Sequence, residues 1–258
     1  MKWIITGLGG TLAPHLARAA AATGVDVVGW DRTTVDPDDA AGCARFLAAE
    51  KPDAIAHLGM GSAGWAGRLA AVAEGRGIPF VFTSSAMVFD CVPDGPHTTD
   101  APLNAKDPYG QYKIACESAV LSAYPQASVA RIGWQIDPHQ AGNNMLMALD
   151  AWQGKEGHVA ASRAWTPACS FMTDTAAALM NLLTKPRPGV VHLDSNADEA
   201  HSFDRIVASM KLAFARDTWL LHVHDDYRHD QRLIGSPALI APLSARLPLA
   251  AGKQDQRP

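Results

Sequence analysis

With 258 residues, 48% of them hydrophobic, the chain is long enough for one large core, alone or with a small appendage. A formal net charge of -4 and 22 scattered basic residues argue against a nucleic-acid face, and no stretch approaches the roughly 18 apolar residues of a membrane span. Cys43, Cys91, Cys116 and Cys169 stand far apart without metal-ligand spacing, so no metal is expected and the cysteines read as reduced packing residues of a cytoplasmic protein.

Trp3-Ile4-Ile5-Thr6 predicts a short apolar strand. It enters Gly7-Leu8-Gly9-Gly10-Thr11-Leu12-Ala13, followed by a helical run from Leu16 to Ala22. Strand, glycine-rich turn and helix in this order make a phosphate cradle. Gly7 permits the tight turn, Gly10 lets a pyrophosphate approach the N–H groups at the helix start, and the small Ala13 allows close helix packing. The next strand, Val25 to Trp30, ends at Asp31, 24 residues after Gly7. An acid there accepts hydrogen bonds from adenosine ribose hydroxyls, which favours NAD(H). Arg32 can face a 2'-phosphate instead, so NADP(H) is the alternative.

Asp36-Pro37-Asp38-Asp39 predicts a helix start, its acids suiting the positive end, with Asp36 also within reach of adenine. Ala54 to Leu58 is a third strand. Leu58, Gly59 and Met60 then pass beside the cofactor, because ligands lie beyond the carboxyl ends of parallel strands. His57 reads as a satisfied interior residue, while Trp65 on the next helix either covers the cofactor or packs.

The strand Ile78 to Phe82 delivers Thr83, Ser84 and Ser85 to the same edge, and the Pro- and Gly-rich stretch from Cys91 to Pro102 predicts a loop over the pocket. Asp107-Pro108 starts a helix that places Tyr109 and Lys113, four apart, on one face about 6 Å from each other. An ammonium beside a phenol favours phenolate, and Lys113 can also reach the nicotinamide ribose. With Ser85 holding a carbonyl oxygen, Tyr109 can give or take its proton. This is a carbonyl/alcohol redox site, given a bound hydride donor.

Beyond the strand Ala127 to Ile132, Gly133 leaves the nucleotide-binding core. The expected division is a core over residues 1–133 and a substrate-binding region over 134–258, with elements returning to the core. Met87, Asn144, Trp165 and Arg246 join Ser85 as substrate candidates, although Asn144 equally suits a helix cap. Pro242 to Leu247 reads as a loop returning to the pocket. His222, His224 and His229 lie among acids without a tight local metal set, and Gly252 to Pro258 read as frayed.

These segments together resemble the extended short-chain dehydrogenase/reductase family, especially its dTDP-4-dehydrorhamnose reductase branch. The resemblance runs through Thr6 to Ala13, Lys51-Pro52-Asp53, Ser84 to Asp90, and Tyr109 to Lys113 with Glu117. It continues through Arg131 to Trp134, Trp165-Thr166-Pro167 with Asp174, and Pro242 to Leu247. It implies an α/β fold, a Rossmann-type doubly wound parallel sheet with a small C-terminal substrate region. It also implies reduction of a small-molecule 4-keto sugar nucleotide, with Tyr109 as acid, Lys113 as its electrostatic and ribose-binding partner, and Ser85 as carbonyl holder. A homodimer suits such a chain. Ala13 departs from the family's third glycine, and Ala86-Met87 lacks the acid that sugar-nucleotide dehydratases use. Arg131, Arg163 and Arg246 are the candidates for a substrate diphosphate. The alternatives are a cofactor-binding scaffold without turnover, a 4-epimerase, or a dehydrogenase of a smaller sugar or ketone.

Overall fold

Alternation along β1 (Lys2–Thr6) separates two apolar layers: Trp3 and Ile5 face one side, Ile4 the other. Both faces are buried because helices cover both, as a parallel sheet requires. The structure is a computed structural model that describes residues 1–249; the stretch expected to fray, Gly252–Pro258, lies outside them.

From β1 the chain enters α1 (Ala13–Ala22), β2 (Asp26–Gly29), α2 (Ala40–Glu50), β3 (Ala54–His57), α3 (Ala63–Arg76) and β4 (Phe80–Ser85). A 3-10 turn over Ala86–Phe89 follows, and then α4 (Pro108–Ala123) and β5 (Ser128–Ile132). Next come β6 (Trp134–Ile136), α5 (Met145–Glu156), β7 (Val159–Ser162), β8 (Trp165–Thr166), β9 (Cys169–Phe171) and α6 (Met172–Thr184). The last elements are β10 (Gly189–Leu193), α7 (Phe203–Ala213), β11 (Leu221–His224), β12 (His229–Asp230) and a 3-10 turn over Leu243–Ala245.

The main sheet has six parallel strands in the order β10-β5-β4-β3-β1-β2. Strand order reverses between β1 and β3, so the loops leaving those two strands open a crevice at the sheet's carboxyl edge. On one face Leu16 of α1 and Leu179 and Leu182 of α6 cover Trp3 and Ile5. On the other, Trp65 and Leu69 of α3 and Val120 of α4 cover Ile4, Phe80 and Phe82.

The remaining strands pair two by two: β6 with β9, β7 with β11, and β8 with β12. They surround a third apolar cluster that includes Ile136, Leu146, Phe171, Phe203 and Trp219. Leu243 and Leu247 pack into this cluster, so the segment Pro242–Leu247 supports the C-terminal core and does not line the large cavity described below. No helix among the described residues is long and apolar enough to cross a membrane.

Candidate active site

Gly7 turns the loop after β1 at φ 85°, in the left-handed region that glycine enters without penalty. A Cβ there would stand 2.8 Å from the Gly59 nitrogen, because the loops after β1 and β3 nearly touch. Thr6 binds the two together: its Oγ1 accepts from the Leu58 and Gly59 N–H groups at 3.1 and 2.9 Å. The hydroxyl's one proton then goes to His57 Nδ1, 2.8 Å away, which leaves the imidazole hydrogen on Nε2. Burial, with the Lys113 and Arg32 charges, lowers the His57 pKa to about 3. The ring is neutral and interior, with Trp65 packed edge-on against it. Trp65 is itself core, so it packs and does not cover the crevice.

The start of α1 carries no side-chain cap and no acid in its first turn. Pro14 lacks an N–H, and His15 and Leu16 donate to the Leu12 carbonyl at 3.0 and 3.3 Å, so the Leu12 and Ala13 N–H groups, without a partner among the described residues, are the ones available to an anion. At the end of β2, the exposed Asp31 accepts from Thr33 Oγ1 and N at 2.7 and 2.8 Å, and these bonds hold its carboxyl below the usual range. Both bonds fall on Oδ1, leaving Oδ2 free for a ligand. The Arg32 guanidinium lies 5.2 Å from the centre of the Trp65 ring.

Asp107 caps α4 by accepting from the Tyr109 N–H at 2.8 Å, and Pro108 presets the first turn. The helix thus presents Tyr109, 39% exposed, and Lys113, 3% exposed, to the end of β4. Lys113 Nζ donates to the Thr83 carbonyl at 2.8 Å and sits 4.8 Å from the Phe82 ring centre and 5.5 Å from that of Tyr109. Burial lowers the Lys113 pKa to about 8.

A second effect acts on Tyr109 beside the expected pairing with Lys113. Burial pushes the phenol above its ordinary value, and the Ser85 hydroxyl beside it pulls partly back. Tyr109 accordingly stays a proton donor at neutral pH.

A cavity of about 1100 Å³ joins these parts. The glycine loop lines it through Gly7, Gly9, Gly10, Thr11 and Leu12; Leu58, Met60 and Thr83 border the same space. Ser85, Met87, Tyr109, Lys113 and Trp165 complete the group of nominated residues around it. Leu8 is absent from the lining because its side chain packs toward Gly29, and Gly59 lies behind Gly7. Asp31 and Arg32 stand beyond the lining at the end of β2.

Two substrate candidates fall elsewhere. Asn144 is buried as the cap of α5: Oδ1 accepts from Met147 N at 3.1 Å and Nδ2 donates to the Gln140 carbonyl at 3.0 Å. Arg246 holds Asp174 through two bonds of 2.7 and 2.5 Å. The other arginines considered for a diphosphate are also engaged, Arg131 with Glu117 at 2.9 and 2.8 Å and Arg163 with Asp225 at 3.1 and 2.6 Å. None of the three lines the cavity. Their acid partners come from distant segments, which no local pattern announces.

Other lining residues gave no sequence signal, among them Gln135, Tyr227 and Gln231, whereas Trp134 lies within the resembling stretch Arg131 to Trp134. Gly133 offered a weak one, a glycine directly after a strand. A Cβ there would lie 2.2 Å from the Ala168 backbone, so only glycine lets the chain leave β5 beside that segment.

Residues 60–216, more than half of the chain, match the family described as RmlD substrate binding domain, and residues 3–70 match the NAD dependent epimerase/dehydratase family. The chain belongs to the RmlD branch of the extended short-chain dehydrogenase/reductases. It is an NAD(P)-dependent oxidoreductase.

This RmlD-family chain is 28% identical over 230 residues to a dTDP-4-dehydrorhamnose reductase of Mycolicibacterium smegmatis, covering 81% of the chain and 68% of the relative. It is 30% identical over 157 residues to a dTDP-4-keto-6-deoxy-D-glucose reductase of Streptomyces niveus, covering 54% of each. The chain spans 65% of the length of a dTDP-4-dehydrorhamnose reductase of Mycobacterium tuberculosis. Among solved structures, a Bacillus anthracis dTDP-4-dehydrorhamnose reductase in complex with NADP superposes with a TM-score of 0.77 at 16% identity, covering 92% of this chain and 91% of that one. The Bordetella bronchiseptica enzyme WbmH in complex with NAD+ gives 0.76 at 18% identity, covering 97% and 96%. At these identities the two structures establish the shared fold.

Proposed function

We propose that the chain reduces the keto group of a 4-keto deoxysugar nucleotide, using NAD(H) in preference to NADP(H). The observation that carries this reading is the meeting of Ser85, Tyr109 and Lys113 with the glycine loop around one cavity. The names of the curated relatives support the sugar-nucleotide class.

The crevice suits a nicotinamide dinucleotide on three observations. The α1 terminus is uncapped, Gly7 stands where a Cβ would strike Gly59, and the nearly buried Lys113 ammonium has one hydrogen-bond acceptor among the described residues, the Thr83 carbonyl. Its remaining N–H groups suit ribose hydroxyls. When bound, the cofactor supplies the hydride.

The chain's own groups handle the oxygen and its proton. Ser85 Oγ orients the substrate carbonyl, and Tyr109, kept protonated by burial, donates to that oxygen as negative charge develops on it. The Lys113 charge then offsets the forming phenolate, while its bond to Thr83 holds it in place. The reverse oxidation uses the same groups in the opposite order. A scaffold without turnover fits poorly with a complete catalytic trio. The four free cysteines suit a reducing compartment, which for this chain we take to be the cytoplasm.

Tyr109→Phe is expected to lower kcat by about 10²- to 10⁴-fold. The affinity for NADH, read by nicotinamide fluorescence, should stay unchanged. Full activity in that variant would remove Tyr109 as the proton donor. Cofactor binding by the wild type with no turnover across sugar-nucleotide, ketone and alcohol panels would establish the scaffold instead.

A further inference from the structure

One wall of the cavity carries polar groups that the mechanism above does not use. There β8 and β12 pair in parallel, His229 with Trp165 and Asp230 with Thr166, and the Gln231 N–H extends the ladder to the Thr166 carbonyl at 2.9 Å. Trp165 Nε1 donates to Gln231 Oε1 at 2.8 Å. An indole N–H only donates, so this bond fixes which end of the Gln231 amide is oxygen. The Nε2 end is left without a partner among the described residues, on a side chain that lines the cavity.

Tyr227 lines the same wall and is held on two sides. Its carbonyl accepts from Ser162 Oγ at 2.7 Å, and its hydroxyl meets Nδ1 of the buried His229 at 3.0 Å. Its ring stands edge-on to Trp165 at 5.3 Å. Trp165 in turn packs on Phe203 at 4.3 Å. The wall therefore combines a braced indole, an oriented amide donor and a braced hydroxyl.

Among the described residues, β12 and the segment after it bring no free cation to this wall. The neighbouring Arg232 is held by Asp230 at 2.9 and 2.7 Å and by the Ala197 carbonyl at 3.1 Å. A phosphate group is best met by several donors and a positive charge. An aromatic face with a neutral amide and a hydroxyl instead complements a polyhydroxylated ring, whose C–H face stacks and whose hydroxyls both donate and accept.

We infer that Gln231 and Tyr227 are the specificity-determining contacts for the hexose ring, an inference that rests on the sugar-nucleotide reading above. Trp165 supplies the aromatic face and holds the Gln231 amide, while the buried His229 acts through Tyr227 as a positioning residue.

The test compares binding of thymidine diphosphate with binding of a thymidine-diphosphate-linked 6-deoxyhexose, to enzyme saturated with oxidised cofactor. Gln231→Glu keeps an acceptor for the Trp165 indole and removes the amide donor; Tyr227→Phe keeps the ring and removes the hydroxyl. Each variant should reduce the extra affinity conferred by the hexose by about tenfold, while thymidine diphosphate binds as before. If thymidine diphosphate and its hexose conjugate weaken equally, the contacts are to the nucleotide and the inference falls. It also falls if neither variant changes binding while the wild type turns over keto-sugar nucleotides. A wild type that turns over none of them and binds both probes equally sinks the proposed function, and this inference with it. Thermal midpoints of both variants check folding, and Tyr227→Phe carries the comparison if Gln231→Glu does not fold.

Discussion

Lys113 is the group whose protonation should shape the pH dependence. Its pKa is lowered to about 8 by burial, so it is charged below that value and neutral above it. Tyr109 moves the other way and stays protonated throughout this range. Reduction, which needs the positive charge beside a forming phenolate, is therefore expected to slow as pH rises through about 8. A kcat/KM profile that is flat between about pH 7 and 9 would remove Lys113 from this role. Asp31 carries the cofactor preference at the same scale. Its Oδ2 is open to ribose hydroxyls, whereas a 2'-phosphate would meet a carboxylate held ionised by Thr33. Asp31→Ser should weaken NADH binding and raise the NADPH to NADH preference by about tenfold. An unchanged ratio in fluorescence titrations would contradict it.

Between elements, the buried Glu117–Arg131 pair joins α4 to β5 directly beneath the catalytic face of α4. Ser84 of β4 adds a hydroxyl donor to Glu117, and Arg131 also donates to the Thr99 carbonyl at 3.2 Å. This network explains why an arginine that reads as a diphosphate ligand is a scaffold residue. Removing one partner leaves the other charge buried alone, so Glu117→Ala should lose about 3–5 kcal/mol of stability in denaturant titration. A loss below about 1 kcal/mol would mean that water reaches Arg131 in the variant. The other elements explain the remaining substrate corrections. Asn144 caps α5, and Arg246 ties the terminal segment to Asp174 at the start of α6.

At the scale of the whole molecule, the sheet is completed from far along the chain. β10 pairs with β5, and α6 packs on α1, so residues after 171 finish a unit that begins at residue 2. A fragment ending at Gly133 would lack Leu179, Leu182, Leu183, Val191 and Leu193 from the core facing α1. Their burial contributes on the order of 10 kcal/mol, comparable with the whole stability of a typical domain at about 5–15 kcal/mol. We predict that fragment 1–133 shows no cooperative thermal transition, whereas fragment 1–193 has the complete sheet. A sharp transition in the shorter fragment would place the boundary at Gly133 after all.

The sequence by itself determined the strand–glycine–helix opening, the acid at Asp31, the Ser85 hydroxyl and the Tyr109–Lys113 spacing. Each is a local arrangement whose geometry follows from one turn, one strand end or one helical repeat. Only the tertiary structure decided which charged groups remain free, because Arg131, Arg163 and Arg246 find their acids 14, 62 and 72 residues away. It also decided the direction of the Tyr109 pKa, since desolvation depends on everything packed around the phenol and not on its neighbour four residues along. Gln231 and Tyr227 belong to the same class. They face the cavity because two short strands, β8 and β12, happen to pair, and pairing across more than sixty residues leaves no periodic trace in either segment.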